Sequence, residues 1–154
     1  MANVNLRDLE HVRLGRDRHC FAIEEDLGLL AADTYLIPTD SYGRVGDYWQ
    51  WAVGHDEHGR TSQLHDAAAL LATRGFAWVD GAPAGSVLAL NVAGGTTVND
   101  RASMIRRLSD ALDALESRGL VSEFRARPLV AMPLIGVGRL SRHRVPLPAG
   151  TTRG

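Results

Sequence analysis

The chain has 154 residues, 45% of them hydrophobic and 23% charged, with 17 basic against 18 acidic side chains and a net charge of −1. Those proportions belong to an ordinary globular protein, and one domain of this length buries roughly 70% of the surface its unfolded chain exposes. Every basic residue is Arg, so a phosphate-gripping Lys, a Schiff-base Lys and a Lys general base are excluded, and so near-neutral a chain exerts no long-range pull on nucleic acid.

No apolar run approaches the ~20 residues of a membrane span, and residues 1–6 lack the basic-then-apolar pattern of a secretion signal. The single cysteine, Cys20, cannot form an internal disulfide, so a cytoplasmic protein with Cys20 buried as a small hydrophobe is expected. Residues 3–17 fit a short helix or a strand equally well. Residues 19–24 read as a strand. Residues 34–37, β-branched and aromatic, read as a second one closed by Pro38, and Asp40-Ser41-Tyr42-Gly43 follows as a turn.

Between 44 and 53 the apolar residues Val45, Tyr48, Trp49, Ala52 and Val53 have helical spacing, and Gly54 stands where that helix should stop. Trp49 belongs to this stripe. Trp51, two positions on, should face elsewhere, either stacking on a base or sitting half-exposed. A polar loop follows over 55–60. Its His55-Asp56-Glu57-His58, with His65 nearby, has neither metal-site spacing nor a thiolate, so a solvated loop without metal is expected. Thr61 or Ser62 could cap a helix running to Thr73 and ended by Gly75.

Residues 76–79 form a candidate strand, and 80–85 have turn chemistry. The apolar run 86–92 suits a strand buried on both faces. Thr97 and Asp100 have capping-box spacing before a helix whose stripe is Met104, Ile105, Leu108, Leu112 and Leu115, with Gly119 as its C-cap. Ser103 and Ser109 have no base near them in sequence to make a triad. Residues 128–135 read as a last buried strand delivered into Gly136-Val137-Gly138. Alternating strands and helices predict an α/β domain over 1–140 with a mixed, mostly parallel sheet, then an irregular or disordered tail over 141–154.

Ligands of open α/β sheets bind outside the carboxyl ends of the strands. Three such ends stand out: Glu24-Glu25-Asp26, Thr39-Asp40-Ser41 and Gly136-Val137-Gly138. A Gly-rich loop lets backbone N–H groups approach a diphosphate, and an Asp can accept from a ribose hydroxyl or an exocyclic amine. Asp26 and Asp40 are equally well read as turn residues.

These residues carry a resemblance. Asp26-Leu27, then Ala32-Asp33-Thr34-Tyr35-Leu36-Ile37-Pro38-Thr39-Asp40, looks like the opening of a macrodomain, the ADP-ribose-binding module. Leu129-Val130-Ala131-Met132-Pro133-Leu134-Ile135-Gly136-Val137-Gly138 resembles that family's phosphate loop, and the intervening elements come in its order. The resemblance spans roughly residues 19–138. It implies a three-layer sheet flanked by helices, with Asp26 and Leu27 at the adenine, Asp40 at the distal ribose, and N–H groups of Gly136, Val137 and Gly138 on the diphosphate. The implied ligand is ADP-ribose or a related NAD-derived nucleotide, free or on an ADP-ribosylated protein. An implied ADP-ribosyl hydrolase would need no metal or other cofactor, would use Asp40 to orient water or ribose, and could not be the lysine-dependent kind.

The chain departs from the family at several points. Glu25 stands for the motif Gly and Asp40 for Asn, Gly43-Arg44-Val45-Gly46 replaces a Gly-rich loop, and Arg139-Leu140 leads into a short tail. The opening Ile37-Pro38-Thr39-Asp40 is similar to macrodomain-like modules attached to larger bacterial NAD-consuming or defence proteins, a resemblance that implies a C-terminally trimmed module. The alternative is a degenerate, non-catalytic scaffold or interaction module. A nucleotide-processing enzyme of another α/β family is a third reading.

Overall fold

The structure, a computed structural model, describes residues 11–13, 19–21, 26–93 and 98–134. Several expectations fall outside them: the Cys20 side chain, the strand beyond Phe21, the Thr97–Asp100 cap and the tail. The chain divides into two compact units, Met1–Ala31 and Ala32–Gly154. In the first, β1 (His11–Arg13) pairs antiparallel with β2 (His19–Phe21), with Val12 opposite Cys20. A 3-10 turn, Leu27–Leu29, follows.

The second unit is built on a four-stranded sheet of β3 (Thr34–Thr39), β4 (Phe76–Val79), β5 (Val87–Asn91) and β6 (Val130–Ala131), in the order β4-β5-β3-β6. β3 is parallel to both neighbours, and β4 is antiparallel to β5. The expected α/β class with a mixed, mostly parallel sheet is what forms. All five residues of β5 are buried, the apolar run Val87–Leu90 and Asn91 after it.

Pro38 does not close β3, which runs through it to Thr39. Tyr35 N–H donates to the Ser86 carbonyl, and the Thr39 carbonyl accepts from Val92. Alternation then turns the Pro38 nitrogen away from β5, where no ladder bond needs it. The last strand is shorter than expected: among the described residues of 128–135 only Val130 and Ala131 pair, while Met132 and Leu134 are exposed. It is an edge strand, and Pro133 has no N–H to extend it.

Between β3 and β4 the chain folds into two short helices. A 3-10 turn, Asp47–Trp49, leads into α1 (Gln50–Val53), which Gly54 ends at φ +83° while donating to the Gln50 carbonyl. α2 (Ala68–Thr73) starts later than expected, after a 3-10 turn over His65–Ala67. Thr61 is no cap. Its buried hydroxyl donates to the Asp47 carboxylate, 3.1 Å away, and so ties the two helices' approaches together.

α3 (Val98–Ser117) covers one sheet face, with Ala111 and Leu115 buried against Leu36, Phe76, Leu88 and Leu90, and Leu108 packed beside them. Two residues of the expected stripe, Ile105 and Leu112, are exposed instead. They lie on one flank of the Leu108–Leu115 line and Ala111 on the other, and the sheet meets the Ala flank, where a small side chain allows close approach. On the opposite face the Trp51 ring of α1 meets Tyr35 of β3 edge-on, and Asn91 of β5 donates to the Leu71 carbonyl of α2. No helix among the described residues is long and apolar enough to cross a membrane.

Asp33 pins β6 to the start of β3. Its carboxylate accepts from the Leu129 N–H at 2.7 Å and from Arg125 at 3.4 Å. Burial works against its charge, but hydrogen bonds from Ser122 and Leu129 and the Arg125 guanidinium outweigh it and hold the carboxyl below its usual range. A depressed value stabilises the fold at neutral pH, and that contribution is lost as pH falls through the native value. Asp33→Asn is therefore expected to cost about 1–3 kcal/mol at pH 7. In urea titrations, its deficit should shrink below about pH 4. An equal deficit at pH 7 and pH 3 would rule this out.

Candidate functional site

The parallel strands β3 and β5 end at Thr39 and Asn91, register partners at the carboxyl edge of the sheet. Thr39 is buried, and its hydroxyl donates to the Arg44 carbonyl at 2.8 Å. Asp40 then organises the turn. One carboxylate oxygen, Oδ1, accepts from the N–H groups of Tyr42 and Arg44 at 2.8 and 2.9 Å, and its backbone carbonyl accepts from Gly43. This is the hydrogen-bonded Asp turn anticipated over 40–43. Oδ2 receives no hydrogen bond from any described residue and is available to a ligand donor.

Sequence reading missed two side chains of the same turn. Tyr42 is 67% exposed, and the Arg44 guanidinium lies 5.5 Å from the centre of its ring. The turn thus presents an aromatic face and a cation as well as a carboxylate, a combination able to meet a base and a phosphate. The signal was present as Ser-Tyr-Gly-Arg directly after the strand-end Asp. Val45 leaves this loop anchored, its N–H donating to the Gln63 side chain at 2.8 Å.

The end of β5 is held by groups that are structurally occupied. Asn91 donates to the Leu71 carbonyl and accepts from Ala93 N–H. From α3, Arg107 donates to the carbonyls of Asn91 and Ala93, at 2.9 Å each. Neither residue was singled out from sequence. A buried Asn in an apolar strand and an Arg on a helix's inner side become legible only once the strand end is known to need partners.

Asp26 and Leu27 belong to the first compact unit. There Asp26 caps the 3-10 turn, accepting from Gly28 N–H at 2.9 Å, and Leu27 begins it half-buried. Gly136, Val137 and Gly138 lie outside the described residues.

Trp49 is in the core, as its spacing required. Trp51 is partly exposed, as one of its two readings expected, yet its ring stays close to that of Trp49. The two rings lie 6.2 Å apart, and the Trp51 indole N–H is buried with no acceptor among the described residues. In the 55–60 loop, Asp56 accepts from the backbone N–H groups of His58 and Arg60 and pairs with the Arg60 guanidinium at 3.1 Å. The Arg60 N–H chiefly holds the Asp56 carboxyl below its usual range. Among the described residues, no three His, Cys, Asp or Glu side chains are grouped to hold a metal ion. Compared with known protein families, with curated proteins and with solved structures, the chain matches none.

Proposed function

We propose that this is a divergent macrodomain-like module that binds ADP-ribose or a related NAD-derived nucleotide at the carboxyl edge of β3 and β6. One observation carries the reading. The two segments bearing the resemblance are parallel neighbours, with Thr34 opposite Val130 and Tyr35 opposite Ala131. Asp40 and Gly136 stand the same five residues beyond Tyr35 and Ala131 along their chains. Parallel strands deliver their following loops to one edge, which is where open α/β sheets take ligands.

In this reading Asp40 Oδ2 accepts from a ribose hydroxyl, Tyr42 and Arg44 face the base or phosphate, and N–H groups of 136–138 hold the diphosphate. With no Lys in the chain, phosphate recognition falls to backbone N–H groups and Arg. If the module also hydrolyses an ADP-ribosyl bond, Asp40 orients the attacking water. Calorimetric titration with ADP-ribose is expected to give saturable heat. Gly136→Glu should weaken binding by about tenfold or more, a loss of ~1.4 kcal/mol. A folded wild type that releases no heat would overturn the proposal.

A second reading, a ligand-free interaction module, draws on apolar side chains turned to solvent. Val121, Phe124 and Leu134 are each more than three-quarters exposed. Large exposed hydrophobics of this kind mark contact surfaces when they gather into a patch. This reading stands if ADP-ribose fails to bind.

A further inference from the structure

The ladder between β3 and β6 stops at Tyr35–Ala131, and the residues beyond it give the reason. In a parallel pair, alternate residues turn both N–H and C=O toward one neighbour, and the residues between turn toward the other. Tyr35 donates to Ser86 and Thr39 accepts from Val92, so residues 35, 37 and 39 face β5. Thr34 donates to Leu129, so residues 34, 36 and 38 face β6.

Two rungs would extend this ladder next. The first is a donation from residue 133 to the Leu36 carbonyl, and the second is a donation from residue 38 to the carbonyl of 133. Both donors are proline, which has no N–H. Toward β5, in contrast, β3 pairs without interruption through Thr39 and Asn91. The loss is confined to the β6 side of the carboxyl half, where the Asp40 turn begins.

We propose that Pro38 and Pro133 act together as positioning residues that keep β3 and β6 apart beyond Tyr35 and Ala131. The strands then part into a crevice below Asp40 that admits the base or ribose of a nucleotide. The missing rungs leave the carbonyls of Leu36 and Pro133 without the donors a continued ladder would bring. Such acceptors suit an exocyclic amine or a hydroxyl and repel a bare phosphate. The ligand half of this inference rests on the ADP-ribose reading, while the strand separation stands without it.

The test uses Pro38→Val, Pro133→Ala and the double variant, with Pro128→Ala as an exposed control outside the ladder. Removing any proline frees the unfolded chain, so melting temperature alone is not the readout. Hydrogen exchange of the new backbone amides is measured by NMR, alongside ADP-ribose titration. In the double variant the amides at 38 and 133 are expected to exchange at least about tenfold more slowly than the amide at 128 in the control. Affinity for ADP-ribose should fall about tenfold or more, with the control unchanged. Free exchange at 38 and 133 overturns the strand separation. Slow exchange with undiminished affinity overturns the crevice as a ligand site. A wild type that binds no ADP-ribose removes the ligand half together with the functional reading, and exchange at 38 and 133 still decides the rest.

Discussion

Gly43→Ala is expected to destabilise the protein by about 2–5 kcal/mol, from two sources that add. Gly43 sits at φ +75°, a left-handed conformation that costs a residue bearing a Cβ about 1–2 kcal/mol. That Cβ would also stand 2.4 Å from the Leu64 carbonyl oxygen and 2.7 Å from its carbon. Backbone is the obstacle here, so relief requires moving a chain segment, which costs about 1–3 kcal/mol more. The segment cannot retreat freely, because Leu64 N–H donates to the Gly43 carbonyl at 2.8 Å. Gly46→Ala is the matched control: it has open space around it and no positive φ, and should change stability by less than about 0.5 kcal/mol. Urea unfolding of both variants measures the difference. Equal stabilities would mean the 40–44 turn is not fixed against Leu64, and Asp40 would lose its preorganisation.

The second large effect lies in the core. Leu88 is fully buried at the centre of β5, opposite Leu36 on one side and Trp78 on the other, beneath α3. Leu88→Ala removes side-chain carbons where neighbours on two strands and a helix limit collapse, and about 3–5 kcal/mol should be lost. Leu112→Ala, on the solvent flank of α3, is expected to change stability by less than about 0.5 kcal/mol. Urea midpoints with an unchanged m-value would separate the two. A Leu112 penalty approaching that of Leu88 would show that α3 packs through the flank the hydrophobic stripe first suggested.

That stripe shows where sequence reading failed and why. Apolarity alone pointed to Ile105 and Leu112, but the helix approaches the sheet through Ala111, because contact selects a small residue at closest approach. β5 was legible since an unbroken apolar run leaves little choice. β3 was cut short at Pro38 because a proline forbids pairing on only one side of a strand, and the side is fixed by register. Thr61 looked like a helix cap by residue type, whereas its hydroxyl bonds a carboxylate fourteen positions earlier. At the site, Asp40 was found by its place after a strand and its turn chemistry was correctly anticipated. Tyr42 and Arg44 went unweighed because loop residues carry no periodicity to mark them.

The central strand also sets the order in which the fold can be completed. Register partners of β3 lie 52 residues away on β5 and 96 away on β6 (Tyr35 to Val87, and to Ala131). Closing such separations is the slow part of forming a parallel sheet. At ~5–20 residues per second on the ribosome, roughly 5–20 s separate the emergence of Tyr35 from that of Ala131. Throughout that interval one edge of β3, buried at every position but Pro38, has no partner. Its proline then serves a second purpose: Pro38 offers no N–H to a foreign strand, which shortens the edge on which a nascent chain could pair wrongly.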